Sequence, residues 1–106
     1  MKKGDFVLIP FPFTDLSGNK NRPAVILIDF EDDVTVCFLT TQLKWQSEFD
    51  ILVQPSDLNG LKKASQIRLN KFATIEKDLI IGRLCSSEKN YIDLLNQNLK
   101  RILKLE

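Results

Sequence analysis

The chain has 106 residues, 43% of them hydrophobic and 27% charged, and fifteen Lys and Arg against fourteen Asp and Glu leave a net charge of +1. That length suits one domain with one core, and the balance is that of a folded soluble protein rather than a disordered or fibrous one. The longest wholly apolar run, Ala24–Ile28, is five residues, far short of the ~20 that cross a bilayer, and a near-zero total means that any surface for a polyanion is local.

Met1-Lys2-Lys3 leads into Gly4-Asp5 with no apolar signal region behind it, so a cytoplasmic chain without a membrane segment is expected. Phe6–Ile9 reads as a short strand that Pro10 and Pro12 should end, because proline gives no N–H to a ladder. A loop is expected to run to about Asn21. Ala24–Phe30 reads as a buried strand, Glu31–Asp33 as a polar turn, and Val34–Thr41 as the antiparallel partner. Lys44–Glu48 reads as a loop, Phe49–Val53 as a strand, and Pro55–Lys63, rich in turn residues, as a long turn. Ser65–Leu69 alternates polar and apolar, the pattern of a half-exposed strand with Gln66 and Arg68 on its wet side.

One helical turn at Glu76–Leu79 and a strand at Ile80–Leu84 follow. Tyr91, Leu95, Leu99 and Ile102 then recur at spacings of four, four and three, the period of an amphipathic helix, with Ser86 or Ser87 as its cap. The expected fold class is mainly β with a C-terminal helix: a strongly bent antiparallel sheet or partly open barrel, with the helix packed on it.

The sequence contains no histidine, which excludes imidazole bases, Ser-His-Asp and Cys-His catalysis and histidine-ligated metals. Its four glycines are dispersed at Gly4, Gly18, Gly60 and Gly82, so none opens a phosphate-binding loop. Cys37 and Cys85 lie far apart and read as small buried hydrophobes, not a disulfide framework or zinc site. The carboxylates Asp29 and Glu31–Asp33 read as a solvated hairpin turn. No metal or cofactor is expected.

Positive charge is clustered despite the balance. Lys20 and Arg22 precede the second strand, and Lys62, Lys63, Arg68 and Lys71 fall within ten positions without an acid. Lys100, Arg101 and Lys104 end the helix, where the macrodipole alone favours cations. Arg22 differs from a loop arginine because Pro23 bars it from the helical region and the apolar run after it anchors its backbone. Its permanently charged planar fork suits the non-bridging oxygens of a phosphate. If the second and third strands pair about Asp32, Arg22 and Thr40 lie at the same hairpin end. A cation and a hydroxyl then face one phosphate. Trp45 in the following loop either stacks on a base or fills the core.

The stretches GDFVLIPFPFTD (4–15), NRPAVIL (21–27), FLTTQ (38–42) and ATIEKDLIIGRL (73–84) resemble, in order and over nearly the whole chain, the MazF/PemK toxins of bacterial toxin-antitoxin pairs. The resemblance implies a single domain over residues 1–106, a small SH3-like barrel shared with the gyrase poison CcdB, a homodimer, and a cognate antitoxin partner. It implies a sequence-selective endoribonuclease cutting single-stranded RNA without metal, with Arg22 and Thr40 catalytic. Gln42 and Ser65 match positions near the substrate groove, and the loops before Arg22 and at Lys44–Glu48 border the RNA channel. The full expected binding set is Lys20, Thr41, Gln42, Lys44, Trp45, Ser65 and Arg68. The first loop, Asp15–Asn21, departs from many relatives in lacking an acidic residue just before the Arg. Two other readings remain: a gyrase-binding poison, against which the non-aromatic C-terminus Arg101–Glu106 counts, and an inert SH3-like binding module.

Overall fold

The computed structural model describes residues 2–11, 20–44, 47–56, 59–86 and 89–105. Six strands form one sheet: β1 (Asp5–Phe11), β2 (Lys20–Asp29), β3 (Asp33–Thr40), β4 (Ile51–Val53), β5 (Ser65–Glu76) and β6 (Gly82–Ser86). A 3₁₀ turn at Lys77–Leu79 and the helix α1 (Lys89–Leu103) complete the order. The strands lie in the sequence β4-β5-β3-β2-β1-β6, and every neighbouring pair is antiparallel. The expected class, a mainly β fold with a curled antiparallel sheet and a C-terminal helix, is the one observed.

Two prolines sit inside strands, contrary to the expectation that Pro10 ends the first. Pro10 pairs with Asn21 and Pro23 with Leu8. Proline is tolerated where a strand has a neighbour on one side only, and both residues meet that condition. The β6 ladder on β1 stops at Leu8, short of Pro10. The β3 ladder on β2 begins only at Ala24. The same lengthened pairing brings β2 back to Lys20, inside what reads from sequence as loop.

Bulges curl the sheet. Leu27 is the extra residue of β2 against β3. On β5 the register slips between Cys37↔Phe72 and Phe38↔Arg68, so Leu69, Asn70 and Lys71 have no partner on β3. Such insertions bend a strand and increase its twist.

The sequence leads one to expect one core; the structure has an apolar cluster on each face of the sheet. On one face Phe6, Val25, Leu27, Cys37, Leu39, Ile67 and Leu69 are covered by α1 through fully buried Leu95, with Tyr91, Leu99 and Ile102 beside it. That is the stripe expected from the sequence period. On the other face Val7, Ile9, Ala24, Ile26, Val34, Val36 and Ile75 cluster with Phe38, Leu79 and Ile80. Burial on both faces explains the nearly unbroken apolar run of β2. The end of α1 is tied down by Arg101, which lies 5.0 Å from the Phe49 ring centroid and 3.4 Å from Glu48, and by Asn98 Nδ2, which donates to the Phe49 carbonyl at 3.1 Å. No helix among the described residues is long and apolar enough to cross a membrane.

Candidate active site

Successive strand residues face opposite sides of a sheet. Phe38 pairs with Arg68, and Thr40 with Gln66; these four share one face. On β2, Ala24 pairs with Phe38, so continuing both strands outward sets Arg22 opposite Thr40. The hairpin reasoning from sequence is therefore realised. Arg22, Phe38, Leu39, Thr40, Arg68 and Lys71 line a cleft of ≈ 380 Å³.

Each side chain there has a local reason for its place. Arg22 is exposed, while the four residues from Ala24 to Leu27 that root its strand are all buried. Lys71 reaches the cleft because it lies in the unpaired insertion of β5, beside the Phe38↔Arg68 pair. The sequence expectation did not assign Lys71 to the site. Its only signal was membership of the acid-free Lys62–Lys71 cluster, since no alternation rule predicts a register slip.

Arg68 lies on the half-exposed strand face expected for it, its side chain 26% exposed and lining the cleft. Its Nε lies 3.1 Å from the Asp50 carboxylate, whose side chain is 3% exposed. Asp50 in turn accepts from the Ser47 N–H at 3.1 Å and from the Ser47 hydroxyl at 3.2 Å. The ion pair thus couples the cleft to the turn that follows β3.

Gln66 is buried, at 1% exposure, unlike the half-exposed residue expected. The ladder with β3 on one side and β4 on the other encloses it. Its Nε2 donates to the Gln42 carbonyl at 3.2 Å, and the Gln42 N–H donates to Thr40 Oγ1 at 3.1 Å. One peptide segment is therefore held at both ends. A hydroxyl that accepts from a backbone N–H keeps its own proton to donate, so the clasp leaves Thr40 a donor.

The other expected binding residues fall elsewhere. Thr41 and Ser65 lie on the opposite face of the sheet, in a second pocket. Gln42 takes part through its backbone in the bonds just described, and Lys44 is exposed after β3. The Lys20 backbone pairs with Phe11; the Lys20 side chain and Trp45 lie outside the described residues. Among the described residues, no three His, Cys, Asp or Glu gather as a metal-ion set. The carboxylate turn is a salt-bridged hairpin end: Lys77 Nζ lies 2.6 Å from Asp29 and bonds the Phe30 carbonyl. That cation holds the Asp29 carboxyl below the usual carboxylate range.

The family described as "PemK-like, MazF-like toxin of type II toxin-antitoxin system" matches residues 2–103, and the chain belongs to it. No curated protein matches the sequence. Among solved structures, an endoribonuclease in complex with its cognate antitoxin from a mycobacterial species is 18% identical, with 100% of this chain and 97% of that one covered at a TM-score of 0.78. The Mycobacterium tuberculosis toxin MazF-mt6 is 18% identical over 96% of this chain and 98% of its own, also at 0.78. MazF from Deinococcus radiodurans is 16% identical over 98% and 96%, at 0.74. At such identities these likenesses establish the fold.

Proposed function

We propose that this chain is a toxin endoribonuclease that cuts single-stranded RNA without a divalent ion, leaving a 2′,3′-cyclic phosphate and a 5′-OH. The observation that carries the reading is one cleft in which Arg22 and Thr40 meet with Arg68 and Lys71 beside them, on a chain of this toxin family. RNA brings its own nucleophile. The protein has only to align the 2′-OH with the phosphorus and stabilise charge on the phosphoryl oxygens. Arg22 grips the non-bridging oxygens, and Thr40 donates a hydrogen bond to one of them. The 2′-oxygen bonds to phosphorus as the bond to the 5′-oxygen breaks. The proton lost from the 2′-OH is balanced by one gained on the 5′-oxygen. This chemistry suits a protein without histidine.

Unpaired RNA is the substrate because its bases expose their edges and faces for selection. The functional form is a homodimer whose cognate antitoxin covers the RNA site with an acidic segment, attracted by the cations of the cleft.

The test is purified protein with a long unstructured RNA in EDTA, and both product ends mapped, for wild type and Arg22→Ala. Wild type is expected to cut and the variant to lose at least a hundredfold in rate. Undiminished cutting by folded Arg22→Ala, or cutting only after Mg²⁺ is added, ends this reading. A gyrase poison would instead cut nothing and inhibit purified gyrase.

A further inference from the structure

Attack by the 2′-OH must put a proton on the 5′-oxygen as its bond to phosphorus breaks, because a bare alkoxide leaves poorly. Few groups in the cleft can give one. Of the described residues that line it, Phe38 and Leu39 are apolar, and no carboxylate is among them. Arg22 and Arg68 carry guanidiniums, which do not surrender a proton in proteins, and Arg68 Nε is further held 3.1 Å from Asp50. A threonine hydroxyl gives hydrogen bonds but is not among the side chains that serve as general acids. Lys71 remains. A lysine ammonium carries three protons and no acceptor, and lysine is one of the side chains that transfer protons in catalysis.

Its placement fits that task. β2 and β5 flank β3, so Arg22 and Lys71 rise from strands about 10 Å apart, twice the spacing of neighbouring strands, with Thr40 on the strand between. A phosphate over β3 has Arg22 on one side, Thr40 beneath it and Lys71 on the other. In-line displacement sets the leaving oxygen opposite the attacking one, which calls for groups on both sides. The root of Lys71 is also fixed. One step along β3, Cys37 to Phe38, spans Phe72 to Arg68 on β5, and within that insertion Leu69 is fully buried in the core. Leu69 thus pins the insertion while Asn70 and Lys71 stay exposed.

We propose that Lys71 is the general acid of the cleavage, an inference that rests on the RNA-cutting reading above. Its Nζ gives a proton to the 5′-oxygen as the bond from phosphorus to that oxygen breaks and the bond to the 2′-oxygen forms. The 2′-OH proton passes to water. The neutral amine then takes a proton back from water, so charge balances over the cycle. The work is thereby divided: Arg22 and Thr40 hold the phosphoryl oxygens, and Lys71 serves the leaving group.

The test uses an RNA oligonucleotide spanning the mapped cut in two forms, one with the natural 5′-oxygen at the scissile bond and one with sulfur in its place. A thiolate is stable enough to leave without being protonated. Because Lys71 is exposed, its replacement should spare the fold. Lys71→Met and Lys71→Arg are each expected to lose about a hundredfold in rate on the oxygen form; the second keeps the charge and loses the transferable proton. On the sulfur form both should come within about threefold of wild type, since the proton is no longer needed. Arg22→Ala, which lacks the grip on the phosphate, should stay impaired on both forms. Near-normal cutting of the oxygen form by Lys71→Arg reduces Lys71 to a charge and overturns the proposal. Equal losses on the two forms overturn it as well. In either case a wild type that cuts leaves the nuclease reading standing, whereas a wild type that cuts neither form in EDTA sinks both.

Discussion

Gln66 and Thr40 pair across β5 and β3 and are joined a second time through the Gln42 peptide, whose carbonyl accepts from one and whose N–H donates to the other. Gln66 is buried with its amide spent on the Gln42 carbonyl, a hydrogen bond worth about 0.5–1.5 kcal/mol net. Its position makes it a positioning residue for the Thr40 hydroxyl. Gln66→Leu is expected to lower kcat about tenfold with KM within about twofold, since aim and not affinity is lost. Gln66→Glu, which turns an acceptor toward the Gln42 carbonyl, should do worse. Steady-state cleavage by folded variants decides it. A normal kcat in Gln66→Leu dismisses the role.

At Thr40 itself, the proposed role is to donate a hydrogen bond to a phosphoryl oxygen, so the two nearest substitutions separate shape from chemistry. Thr40→Val keeps the branched strand-favouring shape and removes the hydroxyl; a fall of about a hundredfold in kcat is expected. Thr40→Ser keeps the donor and should stay within about tenfold of wild type. Equal rates for Val and Ser would show the hydroxyl to be a spectator.

The juxtaposition of Arg22 and Thr40 was legible in the sequence because it needs only a hairpin and a count outward from its turn. The Leu27 bulge lies between the turn and Ala24, yet the strand ends still meet. Tyr91, Leu95, Leu99 and Ile102 announced the helix because one buried stripe has one period. Three features were not legible. Pro10 continues a strand because its unpaired side is set by where β6 stops, a fact of long-range pairing. Gln66 looks solvent-facing by alternation, but in a curled sheet both faces can be buried. Lys71 reaches the cleft only through a register slip that no local pattern encodes.

Leu95 is the one fully buried residue of α1 and touches the core of the sheet face beneath it. Deleting most of its side chain leaves a cavity that a helix tied down through Asn98 and Arg101 cannot readily close. Leu95→Ala should therefore cost about 2–5 kcal/mol in urea unfolding, with the m-value unchanged. Leu94→Ala, one position along and 40% exposed, should cost under about 1 kcal/mol. Similar losses at both positions would contradict the packing assigned to this helix.

Cys37 is fully buried between Val25 and Phe72 on neighbouring strands, and burial pushes its thiol far above the ordinary cysteine range. The thiolate is the reactive species, so in the native protein at pH 8 Cys37 should resist an aromatic disulfide reagent. It should react at the rate of a free thiol once the chain is unfolded. Peptide mapping after brief labelling distinguishes it from half-buried Cys85. Rapid native labelling at Cys37 would mean that the sheet opens there far more often than this packing allows.

Lys77, directly after β5, closes the β2–β3 hairpin by pairing with Asp29 and bonding the carbonyls of Phe30 and Glu31. Its ion pair lowers the Asp29 pKa in the folded state. A carboxyl with a depressed folded pKa adds stability that is present above its unfolded value of about 4 and is lost as pH falls through the folded value. Lys77→Met should accordingly lower the melting temperature at pH 7. The gap between variant and wild type should narrow as pH falls below 4 and through the lowered folded value, and once Asp29 is neutral in both only the part due to the carbonyl contacts should remain. Because the pair is exposed, raised salt should narrow the same gap at pH 7. A gap that is constant from pH 7 to pH 2 would assign the whole effect to the carbonyl bonds and none to the charge pair.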